Sequence, residues 1–277
     1  MALSLLESKI FLNENMQESA AFAFAGGTVC VYSARSPEKT TPNEDSLALL
    51  PCAEQTGVLV IADGLGGLRA GDLASRQAVE SLAATVMQCC TDQDSMREAI
   101  LNGVEQADEK ISAMGLGAAT TVAIVEIRER EVRPYHVGDS MTLITGQRGK
   151  IKYLTVPHSP VGYAVESGLL DANEAMYHEE RHLVSNVVGT PHMHVEIGPK
   201  VALADRDTLL VASDGLFDNL QAEEITAIIR KGPLPKAARS LAAQCRARMQ
   251  DDQPDRPHKP DDLSFILFRP GWPGQHP

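Results

Sequence analysis

Short apolar or alternating runs bounded by turn residues recur along this chain: AFAFAGG, SLALLP, GVLVIAD, ATTVAIVEI, VRPYHVGDS, MTLITG, IKYLTV, TLLVASD and LSFILF. Each predicts a strand, and together they predict a sheet-rich protein. Two helical patterns lie between the third and fourth runs. The first opens near Asp72 and continues through QAVESLAATVMQCC. In the second, Ser95 and Glu98 have capping-box spacing, and Met96, Ile100, Val104, Ala107 and Ile111 recur at helical intervals, which predicts a helical hairpin. A second pair, EEITAIIRKG with Gly232 at its C-terminal cap and KAARSLAAQCRARM, precedes the last strand. Strands interleaved with separated helix pairs imply an α+β architecture whose sheets are covered by helices.

The pattern breaks down over residues 156–192, where one short helical stretch lies between two strand-like edges, as expected of a flap or lid. QDDQPDRPHKPDD reads as a charged, proline-rich connector, and GWPGQHP, residues 271–277, as a loose tail. No internal repeat is visible, so residues 1–277 are expected to form a single domain.

Charge narrows the classes of partner. Lysine and arginine total 25 against 37 acidic residues, a net charge of −12, which argues against a nucleic-acid-binding face. The N-terminus has neither a basic segment nor a continuous apolar core of the kind that directs secretion, and no run reaches membrane-spanning length. The expectation is therefore a cytoplasmic protein with no membrane partner. The cysteines, Cys30, Cys52, Cys89, Cys90 and Cys245, are odd in number with no Cys-x-x-Cys pair, and are expected to be reduced thiols.

The stretch VLVIADGLGGLRAG has the parts of a phosphate-cradling loop but carries an aspartate, Asp63, where the phosphate would sit. A dinucleotide loop beginning at Gly64 needs glycine at the position of Arg69, and a Walker lysine is absent. A carboxylate beside a phosphate needs a cation between them, so the loop reads as a metal site. Comparable acidic strand ends occur at NEDS, HVGDS, VASDG and PDDLS; taken singly, each fits an ordinary turn. As a convergent set, carboxylate and carbonyl donors without histidine or cysteine suit a hard ion such as Mg2+ or Mn2+.

In their order these motifs resemble the metal-dependent protein phosphatases of the PPM family, type 2C, of bacterial type. The resemblance runs through NED, ADGxGG with Gly71 and Ser75, Thr120 and Thr121, VGDS, VASDGLFD and DDLSFILF, with LTVPHS and RHLVSNVVG in the flap. It implies a sandwich of two antiparallel sheets flanked on both faces by helix pairs, a four-layer αββα fold. It also implies hydrolysis of phosphoserine and phosphothreonine in proteins by a metal-bridging water, without a protein nucleophile.

Carried over by resemblance, Asp63 bridges two Mn2+ or Mg2+ ions, Asp45 and the Gly64 carbonyl serve one of them, and Asp214 and Asp261 the other. Glu44 positions a metal-bound water, and Asp139 belongs to a third-metal site. Asp262, next to the favoured ligand Asp261, reads as a solvated turn residue. The implied partners are phosphorylated proteins, substrates of a Ser/Thr kinase, met by a monomer. Two rivals stand beside this reading: a metal-dependent phosphatase of small metabolites, and a silent phosphoprotein-binding regulator.

The chain departs from the family at three points. Thr40 stands where many members carry a phosphate-binding arginine, leaving Arg35 or Lys39 as replacements. Leu65 stands where some have a histidine proton donor, with His158 as a candidate substitute. Met141 follows VGDS where arginine is common. His192 and His194 read as exposed histidines at a strand end.

Overall fold

The computed structural model describes residues 7–37, 39–65, 70–90, 96–251 and 258–271. One sheet has the order β1 (Lys9–Leu12), β4 (Asp45–Ala53), β5 (Thr56–Asp63), β6 (Val122–Arg128), β7 (Glu131–Val137) and β10 (Glu196–Ile197), with β11 (Val201–Ala202) also on β7. The other has the order β2 (Ala20–Phe24), β3 (Gly27–Ala34), β13 (Leu263–Pro270), β12 (Thr208–Ala212), β8 (Met141–Thr145) and β9 (Ile151–Leu154). Neighbouring strands pair antiparallel.

The apolar runs that predict these strands lack polar alternation because both of their faces are buried. Along β5, Val58, Val60 and Ala62 pack against α1 (Gly71–Cys89) and α2 (Met96–Ala113), while Leu59 and Ile61 point between the sheets. Along β13, Leu263, Phe265 and Leu267 meet α6 (Ala222–Ile229) and α7 (Leu234–Met249), and Ile266 and Phe268 join the central layer. Full burial of each such aliphatic or aromatic side chain contributes about 1.5–3 kcal/mol. The result is the expected four-layer αββα sandwich, with a core under each helix pair and one between the sheets.

The flap segment folds as three short helices, α3 (Pro160–Glu166), α4 (Ala172–Ala175) and a 3-10 turn, Glu179–His182, where the sequence suggested one stretch. Ser159 caps α3 through Gly162 N–H, and Asp171 with Glu174 forms a capping box on α4. Ser95, the cap expected for α2, residues 66–69 of the glycine-rich loop and the tail beyond Gly271 lie outside the described residues.

One expectation fails here. Cys52, on β4, and Cys90, just past α1, pair as a disulfide across a Cα–Cα distance of 4.8 Å. An odd cysteine count does not reveal that the sheet and the helix above it bring these two together. Cys30 and Cys245 are buried thiols, as expected, and Cys89 is a partly exposed one.

Candidate metal centre

Asp45 opens β4 and Asp63 ends β5, and the two are direct cross-strand partners. Period-two alternation from Leu47 and Ile61, both in the central layer, places both carboxylates on the face between the sheets. The other sheet delivers its acids to the same end. Asp214 begins α5 (Asp214–Phe217) directly after β12, Asp261 precedes β13, and Asp139 lies in the turn from β7 to β8. Ser213 Oγ, on the inter-sheet face of the second sheet, donates to Asp45 Oδ2 at 3.0 Å and so ties the two sheets together at the site.

The loop after Asp63 is built for close approach. A Cβ on Gly64 would lie 2.1 Å from the Gly71 carbonyl oxygen, so only glycine lets the strand end pass under the start of α1. Thr121 N–H and Thr120 Oγ1 donate to the Asp63 carbonyl at 2.8 and 2.7 Å. Ser75, on α1, donates to the Glu44 carbonyl.

The electrostatics of the cluster are unfavourable for protein alone. Burial first, and then repulsion from Asp45, Asp214, Asp261 and Asp139, drives the Asp63 carboxyl well above the ordinary carboxylate range. Asp45 and Asp139 are driven up by the same two causes, burial being the larger. Asp214 moves the other way: burial would raise it, but Lys259 beside it pulls it down, and it accepts a hydrogen bond from Asp63. Asp218 is pushed up to about 6 and Asp261 to about 7, each by burial and the Asp214 charge against relief from Lys259. Among the described residues Asp45 Oδ1 is buried without a partner, an arrangement that is costly unless a cation or water satisfies it. Carboxylates at this density, with one orphaned oxygen on the fully buried Asp45, fit hard divalent cations.

Two lysines are woven into the acids. Lys39 Nζ contacts Glu44 Oε2 at 2.5 Å and Asp262 Oδ2 at 2.6 Å. Lys259 Nζ contacts Asp214 Oδ2 at 2.7 Å, Asp218 Oδ2 at 2.8 Å and Asp261 Oδ2 at 3.1 Å. Burial alone would lower the Lys259 pKa, but these three carboxylates raise it overall. Of the two candidate phosphate ligands, Lys39 thus lies beside Glu44, whereas Arg35 is exposed just past β3.

The reading of Asp262 as a solvated turn residue is overturned. It is only 3% exposed, its Oδ1 accepts from Ser36 N–H at 2.8 Å, and its Oδ2 accepts from Glu44 N–H at 2.7 Å and from Lys39. It fastens the Asn43–Glu44–Asp45 segment to the start of β13. The sequence signal, two adjacent aspartates before an apolar strand, was ambiguous between ligand and turn. Asp218, four residues after Asp214, and Lys259, inside the charged connector, were missed as site residues.

His158 is not positioned as a proton donor. It is fully buried, its Nδ1 accepts from Gly138 N–H and Asn186, and its Nε2–H is directed at Glu196. Its ring stacks on His136 at 4.3 Å between centroids, which makes it a packing element at the base of the flap. His192 and His194 are exposed, as expected, although His194 sits beside the His158 ring.

Comparison with known proteins agrees with this architecture. Residues 35–253 match the sequence family Protein phosphatase 2C. Protein phosphatase PhpP of Streptococcus pneumoniae serotype 2 (strain D39) is 30% identical over 202 residues, spanning 69% of this chain and 80% of that protein. The fold superposes on the serine/threonine phosphatase Stp1 from Staphylococcus aureus with TM-score 0.75 at 22% identity, covering 92% of this chain and 98% of that one. It also superposes on the catalytic domain of the serine threonine protein phosphatase PstP in complex with 2 manganese ions, with TM-score 0.67 at 20% identity, covering 87% and 96%. With a family match over most of its length and a relative of this similarity, the chain belongs to the protein phosphatase 2C family.

Proposed function

We propose that this chain is a metal-dependent phosphatase that hydrolyses phosphoserine and phosphothreonine in proteins, with Asp45, Asp63, the Gly64 carbonyl, Asp214 and Asp261 holding two divalent ions, Mn2+ or Mg2+. The observation that carries the reading is the convergence of Asp45 and Asp63 from one sheet with Asp214 and Asp261 from the other, close enough that the charges of the other three all act on Asp63. Bound there, the ions supply a water of lowered pKa as nucleophile and a positive clamp for the phosphate.

The protein's own residues arrange this chemistry. Asp63, coupled to acids of both sheets, would serve both ions in this reading, and the hydrogen bonds to its carbonyl from Thr120 and Thr121 fix the strand end. Glu44 is held by Lys39 and by its backbone bond to Asp262, and in this reading its carboxylate would orient a water at the edge of the cluster. Uncatalysed phosphate-monoester hydrolysis is slow enough that enzymes accelerate it by up to about 10^21-fold, and charge neutralisation suits that demand. Phosphorylated targets of a Ser/Thr kinase are the substrate class this reading implies, and a cytoplasmic monomer is the form in which we expect it to act.

The test is hydrolysis of a phosphothreonine peptide and of p-nitrophenyl phosphate with Mn2+ or with chelator. Turnover should require metal, and Asp63→Asn and Asp214→Asn should each lower kcat by at least about 100-fold, the scale on which losing a transition-state charge contact is felt. Turnover in chelator, or parental rates in both variants, would refute the mechanism. Activity on p-nitrophenyl phosphate with none on phosphopeptides would refute the protein-substrate assignment.

A further inference from the structure

A cleft of about 340 Å3 with a mostly apolar lining adjoins the proposed metal centre, and Asp139, Asp214 and Asp218 form part of its wall. The remaining walls come from both sides of the site. Met141 and Leu154 belong to β8 and β9, Phe217 to α5, and Val161, Val165 and Met176 to the flap. Leu154 and Phe217 rest against the core between the second sheet and its helices, whereas Met141, Val165 and Met176 are left partly exposed. Met141 stands where arginine is common in the resembled family, so this chain puts an apolar side chain on a wall where others carry a charge.

Polar cross-links hold the flap in place around this space. Arg181, on the flap, donates to the Met176 carbonyl and, through Nη2, to the carbonyl of His258 at 3.0 Å, in the connector before β13. Gln221 Nε2, at the start of α6, donates to Asn173 Oδ1 of α4 at 2.7 Å. An apolar concavity fixed in this way gains free energy by shedding water when a further apolar group enters it, and its volume falls in the range of about 300–1,000 Å3 typical of ligand clefts.

Asp214 is at once a proposed ligand and part of the wall, so a phosphate held by its ion lies next to the cleft. In an extended phosphopeptide the residues one and two positions away lie within about 7 Å along the chain, so one of their side chains can enter. Glu166 and Glu223 border the cleft along with Asp218, which disfavours an acidic side chain there. The flap also exposes Tyr163, Leu169, Tyr177 and Leu183, a concentration of apolar surface that suits contact with a protein and not with a small metabolite. We propose that this cleft is a specificity pocket for a large apolar side chain one or two residues from the phosphoresidue of a protein substrate. The inference rests on the reading of Asp45, Asp63, Asp214 and Asp261 as ligands.

The test is steady-state hydrolysis by the full chain, in Mn2+, of phosphothreonine peptides that differ only at the two positions on either side, where they carry Leu, Phe, Ala or Glu. At one of these positions kcat/KM should be at least about ten-fold higher for Leu or Phe than for Ala, the low end of what filling an apolar pocket contributes, and lowest for Glu. Val165→Phe, which fills the cleft from the flap, and Met141→Arg, which puts a charge on the sheet wall, should each bring the Leu-to-Ala ratio to within about two-fold of unity. The ratio compares two peptides on one preparation, so a loss of total activity does not imitate the effect. If one variant is insoluble, the other carries the same expectation.

Equal kcat/KM for Leu, Phe and Ala peptides in the parent, or a preference that the variants keep, would overturn the proposal. So would a parent that sediments as a dimer and is dissociated by Val165→Phe with its peptide preference intact, because the cleft would then hold a second copy of the chain. Failure of the underlying reading looks different. A parent that hydrolyses no phosphopeptide, or an Asp63→Asn variant that works as the parent does, defeats the ligand assignment and the pocket with it. Metal-dependent turnover of every peptide at one rate, abolished by Asp63→Asn, defeats the pocket alone.

Discussion

Asp262 ties three separate groups together beside the centre. Its carboxylate accepts from two backbone N–H groups, those of Ser36 and Glu44, and from Lys39, all while almost fully buried. Truncation would orphan both N–H groups and leave the Lys39 ammonium with Glu44 alone. Each unsatisfied buried donor costs about 1–3 kcal/mol, and breaking a buried ion pair from one side costs about 3–5 kcal/mol. Asp262→Ala should therefore lose at least about 3 kcal/mol in a urea melt, and Asp262→Asn, which keeps one acceptor oxygen, should lose less. Equal, small losses in both would mean that the segment holding Glu44 and Asp45 is fixed by something else. At this scale the sequence revealed residue types better than partnerships. Asp45, Asp63, Asp214 and Asp261 stood out only as a set, in an order that resembles the family's, since each acid alone at a strand end fits an ordinary turn. Asp262 and Lys259 were not, because what defines them is contact with residues forty or more positions away.

The element scale shows the same division between local pattern and tertiary placement. The helix pairs and most strands were legible from apolar periodicity, because each run faces a core on one or both sides. β3 was not: in GTVCVYSA the buried Ser33 and Tyr32 break the apolar signal, yet Ser33 Oγ is satisfied by Asn43 and Ser264, and Tyr32 stacks on Phe265. A strand of this kind is stabilised by its neighbours and not by its own composition. The α1–α2 pair offers a test of packing against propensity. Gly103 sits in the middle of α2, where alanine would ordinarily gain about 0.5–1 kcal/mol. A Cβ there would meet Thr85 Oγ1 at 2.5 Å and the Leu82 Cα at 3.1 Å on α1, however, and forcing atoms into a packed interface costs about 1–3 kcal/mol. The clash should win, so Gly103→Ala should lower the Tm. A rise would mean that the helices separate at no cost.

Across the whole molecule, acidity acts through two opposed sets of buried groups. His136 is held down to about 4, chiefly by burial and then by His158, against an ordinary value of 6.5. Its contribution to stability is full above about 6.5 and is lost as pH falls toward about 4, because the unfolded chain takes the proton first. The carboxylates have the opposite sign. Asp261 is raised to about 7 and Asp218 to about 6, with Asp45, Asp63 and Asp139 also raised, so the folded protein keeps protons that the unfolded chain has released. That contribution is present at low pH and is lost as pH rises through about 6 to 7. A metal ion binds the deprotonated acids and competes with their protons, so its stabilisation should be largest where the protein without metal is most strained. Comparing Mn2+ with chelator at each pH cancels the histidine contribution, which is common to both. An ion present at about 100 times its Kd adds about 2.7 kcal/mol, on the order of 5 °C in Tm for a chain of this size. Calorimetry should show that difference at pH 7.5 and a clear decline by pH 5.5. A gain in Tm that stays constant across this range would place the ions away from Asp261, Asp218 and their neighbours, whereas a decline centred between about 6 and 7 would tie metal loading to the proton occupancy of this buried cluster.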